Sequence, residues 1–344
     1  MALDLPREEL LAHVAPNDPS RPMNLRRTEA LRRLVRETDL RERHLVQPLF
    51  VVEDPADAGS IDSLPGQSRL TRDEVIDAAR QAQSLRLGGV LLFGVPTQRP
   101  RSHRADPESN GAFLLEVIQA VKHAAPDLVL ATDVCLCPYT HDGQCVVTSG
   151  EGDIELEATL AAYGRMSVAH ARAGADIVAP SGMIDGTVRA VRASLDGAAL
   201  ASTPIMAYSA KYASSLYGPF RAAAGSASPH TDRRWHQMDP ANAREALHEI
   251  ALDLAQGADV VMVKPALHYL DVVARARDAF PRARIAAYHV SGEYAMLASA
   301  AQRGWIDLAS ALDETLLAIR RAGADLCITY GAVAWAQRRR KPEP

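Results

Sequence analysis

Two lysines end two strand-like runs: Lys211 closes Pro204-Ile-Met-Ala-Tyr-Ser-Ala-Lys211, and Lys264 closes Asp259-Val-Val-Met-Val-Lys264. An ordinary lysine has a pKa near 10.4, which leaves roughly one amine in 2,500 neutral at pH 7. Burial and a second cation nearby both lower that value, so two lysines in one pocket make a nucleophile for ketones. A third run, Leu128-Val-Leu-Ala-Thr-Asp-Val-Cys135, continues into Cys135-Leu-Cys137, with Cys145 a short loop later. Three thiolates and an open fourth position describe a catalytic zinc site. His141 and Asp142 in the intervening loop are candidate fourth ligands. Side chains two apart on a strand point the same way, so Asp133, Cys135 and Cys137 share a face if the strand stays regular that far. The plainer alternatives are structural ion pairs for the lysines and inert buried thiols for the cysteines. Cys327 stands alone in another strand-like run and reads as core.

These residues need a frame. Short runs rich in Val, Ile and Leu alternate with amphipathic stretches along the chain. Strands are predicted at 45–52, 88–95, 128–136, 176–181, 204–211, 259–266, 284–291 and 325–329. Helices are predicted at 72–85, 112–124, 155–173, 185–195, 240–256, 269–279, 293–303 and 308–322. Such alternation gives a parallel sheet with both faces covered, and eight units close into a (β/α)8 TIM barrel. Ala-Gly-Ala-Asp at 173–176 and 322–325, and Gln-Gly-Ala-Asp at 256–259, each stop a helix just before a strand. Thr71, Asp185 and Asp239 are predicted helix caps, the last followed by Pro240. In a barrel the reactive groups collect at the carboxyl ends of the strands. Asp133, Cys135, Cys137, Lys211, Lys264, Ser291 and Tyr330 all fall there.

The stretch 212–237, rich in Gly, Ser, Ala and Pro, is a predicted active-site lid. Its Arg221 and Arg233 suit a substrate carboxylate, and the hydroxyls of Ser291 and Tyr330 suit a second one. Residues 1–42 are polar and arginine-rich, too poor in apolar residues for a domain, and read as an arm, loose or packed on another subunit. Residues 43–344 form the catalytic barrel. The tail Arg338–Pro344 reads as a solvated end.

Bulk properties narrow the function. The 344 residues are 47% hydrophobic and 23% charged, with a net charge of -4. Neither nucleic acid nor an anionic membrane is favoured as a partner. Four cysteines, three of them crowded together, suit a reducing compartment and a metal site better than a disulfide framework. No secretory signal or membrane-length apolar run is present in the sequence, which points to a cytoplasmic protein.

Five longer stretches resemble the δ-aminolevulinic acid dehydratase (porphobilinogen synthase) family of the zinc-dependent type. They are Asp133–Thr140, Val178–Gly186, Tyr208–Arg221, Met262–Ala266 and Val290–Met296. The resemblance runs from about Leu45 to the C-terminus. It implies a (β/α)8 barrel whose N-terminal arm embraces a neighbour, commonly in an octamer. It implies condensation of two 5-aminolevulinate molecules to porphobilinogen, for haem and other tetrapyrroles. Lys264 would hold the first substrate as a Schiff base and Lys211 the second. Ser291 and Tyr330 would bind the first carboxylate; Arg221, Arg233 and Gln237 the second, with Tyr217 in the same lid. Asp133 would assist proton transfer, Cys135, Cys137 and Cys145 would hold zinc, and Glu249 would serve an allosteric magnesium site. The chain departs from the family pattern at Gln144, where zinc-type members commonly carry histidine, at Gln47, where an apolar residue is usual, and at His236, where tyrosine is usual. Two rival readings are another Schiff-base aldolase or lyase on the same barrel, and a non-catalytic metal-binding or assembly paralogue.

Overall fold

The computed structural model describes residues 21–97, 111–149, 151–226 and 233–340. The chain divides after Leu40 into two compact units. Within the first, a 3-10 turn at Pro22–Arg26 precedes a helix at Glu29–Leu34, whose cap Thr28 accepts a hydrogen bond from the N–H of Leu31. Met23, Leu25, Leu34 and Val35 are exposed beside Arg32 and Arg33.

The second unit is a (β/α)8 barrel. Its strands are β1 Leu45–Val52, β2 Gly89–Val95, β3 Leu130–Val134, β4 Ile177–Pro180, β5 Met206–Lys211, β6 Val260–Lys264, β7 Arg284–His289 and β8 Leu326–Thr329. They pair in parallel from β4 through β3, β2, β1, β8, β7 and β6 to β5. A parallel bridge between Val178 and Ile205 joins β4 to β5 and closes the ring. Inward residues recur at every second position, as in Leu91 and Phe93, Ala286 and Tyr288, or Ile328 and Tyr330, and fill the barrel with a packed core. Among the described residues, no helix is long and apolar enough to cross a membrane.

The recurring Gly-Ala-Asp segments do more than stop helices. Gly174, Gly257 and Gly323 adopt φ of 108°, 102° and 120°, the left-handed region that only glycine enters cheaply. The aspartate that follows each one then accepts an N–H at the start of a neighbouring strand, within one residue of its first. Asp176 takes Leu130 at 2.8 Å, Asp259 takes Ile205 at 2.9 Å, and Asp325 takes Ile285 at 2.9 Å. Lys122 and Arg277 complete two of these clamps by pairing with Asp176 and Asp325. The end of the barrel away from the lysines is thereby fixed in register.

Several expectations need correction. The helix after β5 spans Arg244–Ala255; Asp239 instead turns the chain by accepting from the N–H of Ala241, and Pro240 lies in that turn. The helix after β4 starts at Thr187, with Gly186 at φ 79° as its cap in place of Asp185. Thr71 does cap its helix, in a reciprocal pair with Glu74. Arg338–Arg340, read as part of a solvated end, are exposed as expected, and they also finish a helix, Ala332–Arg340, that follows β8; 341–344 lie outside the described residues. A hairpin between Gly59–Ser60 and Ser68–Leu70 was not anticipated. Part of the predicted lid is ordered as a turn at Ser215–Tyr217 and a helix at Gly218–Ala223; 227–232 lie outside the described residues.

The decisive irregularity is in β5. Met206 and Ala207 pair with Val260 and Val261, but Ala210 and Lys211 pair with Val263 and Lys264. Tyr208 and Ser209 together therefore oppose Met262 alone, which is a β-bulge. The extra residue shifts the register by one and sets Lys211 directly beside Lys264.

Candidate active site

Lys264 continues the inward row Val260, Met262, Lys264 of β6, so strand alternation alone points it into the barrel. Lys211 arrives beside it through the bulge. Both are buried, at 7% and 5% exposure for Lys211 and Lys264. Both amines lie over the same ring, that of Tyr208, at 5.6 Å and 4.9 Å from its centroid. Lys264 Nζ is further enclosed by the rings of Tyr288 at 4.2 Å, Tyr217 at 5.2 Å and Phe220 at 5.2 Å. This aromatic surround explains the state of the amine. Burial drives Lys264 well below the usual lysine range, the Lys211 charge pushes it further, and Asp133 opposes both. Lys211 Nζ donates to the carbonyl of Ser181 at 2.5 Å.

Asp133 sits near the end of β3. Burial, and then the charge of Cys135, push its carboxyl up to about 7, against a hydrogen bond from Ser181 and the two lysine charges. Ser181 thus touches both Lys211 and Asp133. It lies inside one of the stretches read from the sequence, but had been given no role there. Tyr208, Phe220 and Tyr288 were likewise missed; regular alternation would have put Tyr208 and Lys211 on opposite faces.

Strand β3 ends at Val134, earlier than expected, so Cys135 and Cys137 sit in the turn that follows it. The turn nevertheless brings the thiols together. Cys135 Sγ is 3.3 Å from that of Cys137 and 3.5 Å from that of Cys145, and all three lie within 4.8 Å of one another. A tetrahedral metal with sulfurs at about 2.3 Å separates them by about 3.8 Å, so the trio fits one face of such a site. Hydrogen bonds from Cys135 and Cys137, with the charges of Arg233 and Lys211, hold the Cys145 thiol well below its usual range. Tyr163, fully buried, braces the trio through the carbonyl of Cys145 at 3.1 Å. The cluster can hold a metal ion.

Arg221, Arg233 and Gln237 line one cavity of about 540 Å³ with Ser214 and Ser215. One Arg233 nitrogen donates to the carbonyls of Gly143, in the cysteine loop, and Ser226. Met238, next to Gln237, donates to the backbone of Lys211 at 3.0 Å, which ties this cavity to the end of β5. The lysines do not line it. Tyr217 donates to the carbonyls of Tyr212 and Lys264. Ser291 Oγ accepts from the N–H of Phe220 at 2.9 Å, and Tyr330 Oη lies 3.2 Å from that of Tyr288. Each is thus one residue removed from Lys264, through two of the rings that surround it.

Glu249 stands apart, on the outer helix behind β5, where it and Asp185 line a cavity of about 240 Å³. Burial, then the charge of Asp185, pushes its carboxyl upward. Gln47 is buried. It donates to Gln67 at 3.1 Å and accepts from the N–H of Val333 at 3.2 Å, while Gln67 donates to the carbonyl of Tyr330. Gln144 donates its N–H to Asp142, and the ring of His236 meets Trp235 edge-on at 4.5 Å.

A closed parallel barrel with amines, carboxylate and thiols gathered at the carboxyl ends of its strands defines the class first: a (β/α)8-barrel enzyme. Residues 19–338 match the family model for delta-aminolevulinic acid dehydratase. The chain is 46% identical over 320 residues to the delta-aminolevulinic acid dehydratase of Synechococcus elongatus, covering 91% of this chain and 96% of that one. It is 48% identical over 317 residues to that of Mycobacterium tuberculosis, covering 91% and 95%. The crystal structure of the Toxoplasma gondii enzyme in complex with its product porphobilinogen superimposes with a TM-score of 0.88 at 40% identity, covering 94% and 95%. The chain belongs to the delta-aminolevulinic acid dehydratase family, whose members are lyases.

Proposed function

We propose that this chain condenses two 5-aminolevulinate molecules to porphobilinogen, releasing two waters, with one substrate held on each lysine as an imine. One observation carries the reading: Lys211 and Lys264 are in-register partners on adjacent strands, and both amines lie over Tyr208. Each amine attacks one ketone and loses water, leaving two substrates tethered side by side. Tethering turns a bimolecular condensation into an effectively intramolecular one. Lys264 is primed by burial, since its neutral form is the nucleophile.

In this reading Ser291 and Tyr330 hold the carboxylate of the substrate on Lys264. Arg221, Arg233 and Gln237 hold that of the substrate on Lys211, with Tyr217 closing over the Lys264 side. Asp133, hydrogen-bonded to the Ser181 that takes the Lys211 amine, moves protons during the condensation. Cys135, Cys137 and Cys145 hold zinc, and the three-sulfur face is what supports that choice. When bound there, zinc supplies a Lewis acid for the substrate on Lys211 and lowers the pKa of a bound water. Glu249 serves magnesium as a regulatory ion, supported by Asp185 in the same cavity.

Residues 1–42 act as an oligomerisation arm. The exposed apolar side chains among the arginines of 21–40 support a second copy of this chain as their partner, in a homo-oligomer such as an octamer. The enzyme works in the cytoplasm, in tetrapyrrole synthesis, with no nucleic-acid or membrane partner. A colorimetric porphobilinogen assay, with and without a chelator, tests the reading. Turnover that chelation removes and zinc restores is expected. No porphobilinogen from the zinc-loaded protein refutes it.

A further inference from the structure

The helix Gly218–Ala223 carries two residues with separate tasks: Phe220 over Lys264, and Arg221 in the cavity with Arg233 and Gln237. With six residues it is too short to hold its shape unaided, so its place depends on what grips it. Its first half is gripped from the barrel. The Phe220 ring packs on those of Phe93 at 5.2 Å and Phe50 at 5.7 Å, and the Phe220 N–H donates to Ser291. Its second half is gripped by Arg69, on the hairpin strand Ser68–Leu70. Arg69 donates through Nε to the carbonyl of Ala223 at 2.9 Å and through Nη2 to that of Ala222 at 2.7 Å. These are the two residues that follow Arg221. The last carbonyls of a helix lack partners in its ladder and form its negative end, so a guanidinium fork meets both needs there.

The hairpin is a firm base for this grip. Arg69 and Leu70 pair with Phe50 and Val51 of β1, and Ile61 and Leu64 are buried in the barrel's core. Gln67 ties the same segment to Gln47 and to the carbonyl of Tyr330. Arg221 needs such a brace. Burial, and then the like charge of Arg233 in the same cavity, lower its pKa, so its charge there is opposed until an anion arrives. We propose that Arg69 is a positioning residue, which sets Arg221 in the substrate-carboxylate cavity by gripping the end of its helix from the hairpin. The inference rests on the reading of Arg221 as a carboxylate ligand and adds to it the group that holds it in place. Arg69 does not line that cavity and acts only through the helix.

The test compares the zinc-loaded wild type with Arg69→Ala, Arg221→Ala and the double variant. It uses steady-state kinetics with 5-aminolevulinate and hydrogen exchange read by peptide mass spectrometry. Arg69→Ala is expected to raise KM about 5- to 10-fold with kcat within about twofold. Added to Arg221→Ala, it is expected to move KM by less than about twofold, because the residue it positions is already gone. The amides of Ala224, Gly225 and Ser226, which bond back onto the helix, are expected to exchange at least about tenfold faster, while those of β6 stay unchanged. Arg69→Lys keeps the charge without the fork and is expected to show the same changes at smaller size; should Arg69→Ala not fold, it carries the test. An unchanged KM in Arg69→Ala, while Arg221→Ala raises KM, overturns the inference alone. So does a KM effect that multiplies in full with that of Arg221→Ala, or faster exchange throughout the barrel, which general loosening would produce. An unchanged KM in Arg221→Ala would instead overturn the carboxylate reading, and this inference with it.

Discussion

Lys264→Met separates what the buried amine does for catalysis from what it costs the fold. The amine is 5% exposed and ringed by Tyr208, Tyr217, Phe220 and Tyr288, so its charged form is poorly solvated. Its folded pKa therefore lies well below the unfolded value of 10.5. In the window between the two, the unfolded chain holds a proton that the folded chain does not. Wild-type stability must then rise with pH by about 1.4 kcal/mol per unit from this group alone. Methionine has similar length and no charge, so the variant lacks that slope. Near pH 8 the variant is expected to be the more stable of the two, as when other buried charges give way to apolar groups, by about 3 kcal/mol. The advantage should shrink by about 1.4 kcal/mol per pH unit toward pH 10 and vanish near the unfolded pKa. Reversible denaturant unfolding at pH 8, 9 and 10 reads this directly, and the window stays above the titration of Asp133 at about 7. Turnover should be lost throughout. A variant less stable than wild type at pH 8, or a stability difference that does not move with pH, refutes the buried, depressed amine.

Further outcomes follow from other parts of the site. Arg221→Ala should raise KM about 10- to 100-fold, the worth of one charge-assisted hydrogen bond, with kcat largely kept; an unchanged KM in steady-state kinetics would remove it from substrate binding. Cys145→Ala should weaken metal binding by more than about 100-fold, because two thiolates remain. Elemental analysis after dialysis checks this, and full metal retention would mean that the ion sits elsewhere. Asp325→Ala removes the acceptor for the N–H of Ile285 and the partner of Arg277, and should cost about 2 kcal/mol in denaturant unfolding with kcat unchanged. A large loss of kcat there would mean that the clamp reaches the site.

The barrel was legible because its signals are local and repeated. Apolar runs bounded by Gly-Ala-Asp segments place strand starts almost to the residue, since left-handed glycines and strand-pinning aspartates do the same job three times. Lys264 was legible for a similar reason: alternation from Val260 carries it inward. Lys211 converges on it for a reason no periodicity reveals. The register of β5 against β6 shifts by one between Ala207 and Ala210, and strict alternation would have sent Lys211 outward. The aromatic surround of Lys264 was hidden by the same register shift and by rings from three separate segments. The helix after β4 was misplaced because Asp185 looked like a cap while Gly186 takes the left-handed entry. Gln47 reads as a misfit on an apolar strand until the partners from residues 67 and 333 are seen.

The most direct measurement is to treat the zinc-loaded enzyme with 5-aminolevulinate, reduce it with borohydride, and locate the adducts by peptide mapping. The account predicts substrate-derived mass on the peptide carrying Lys211 and on the one carrying Lys264, both lost when reductant is omitted. Adducts confined to any other lysine, or none while porphobilinogen is still produced, would contradict it.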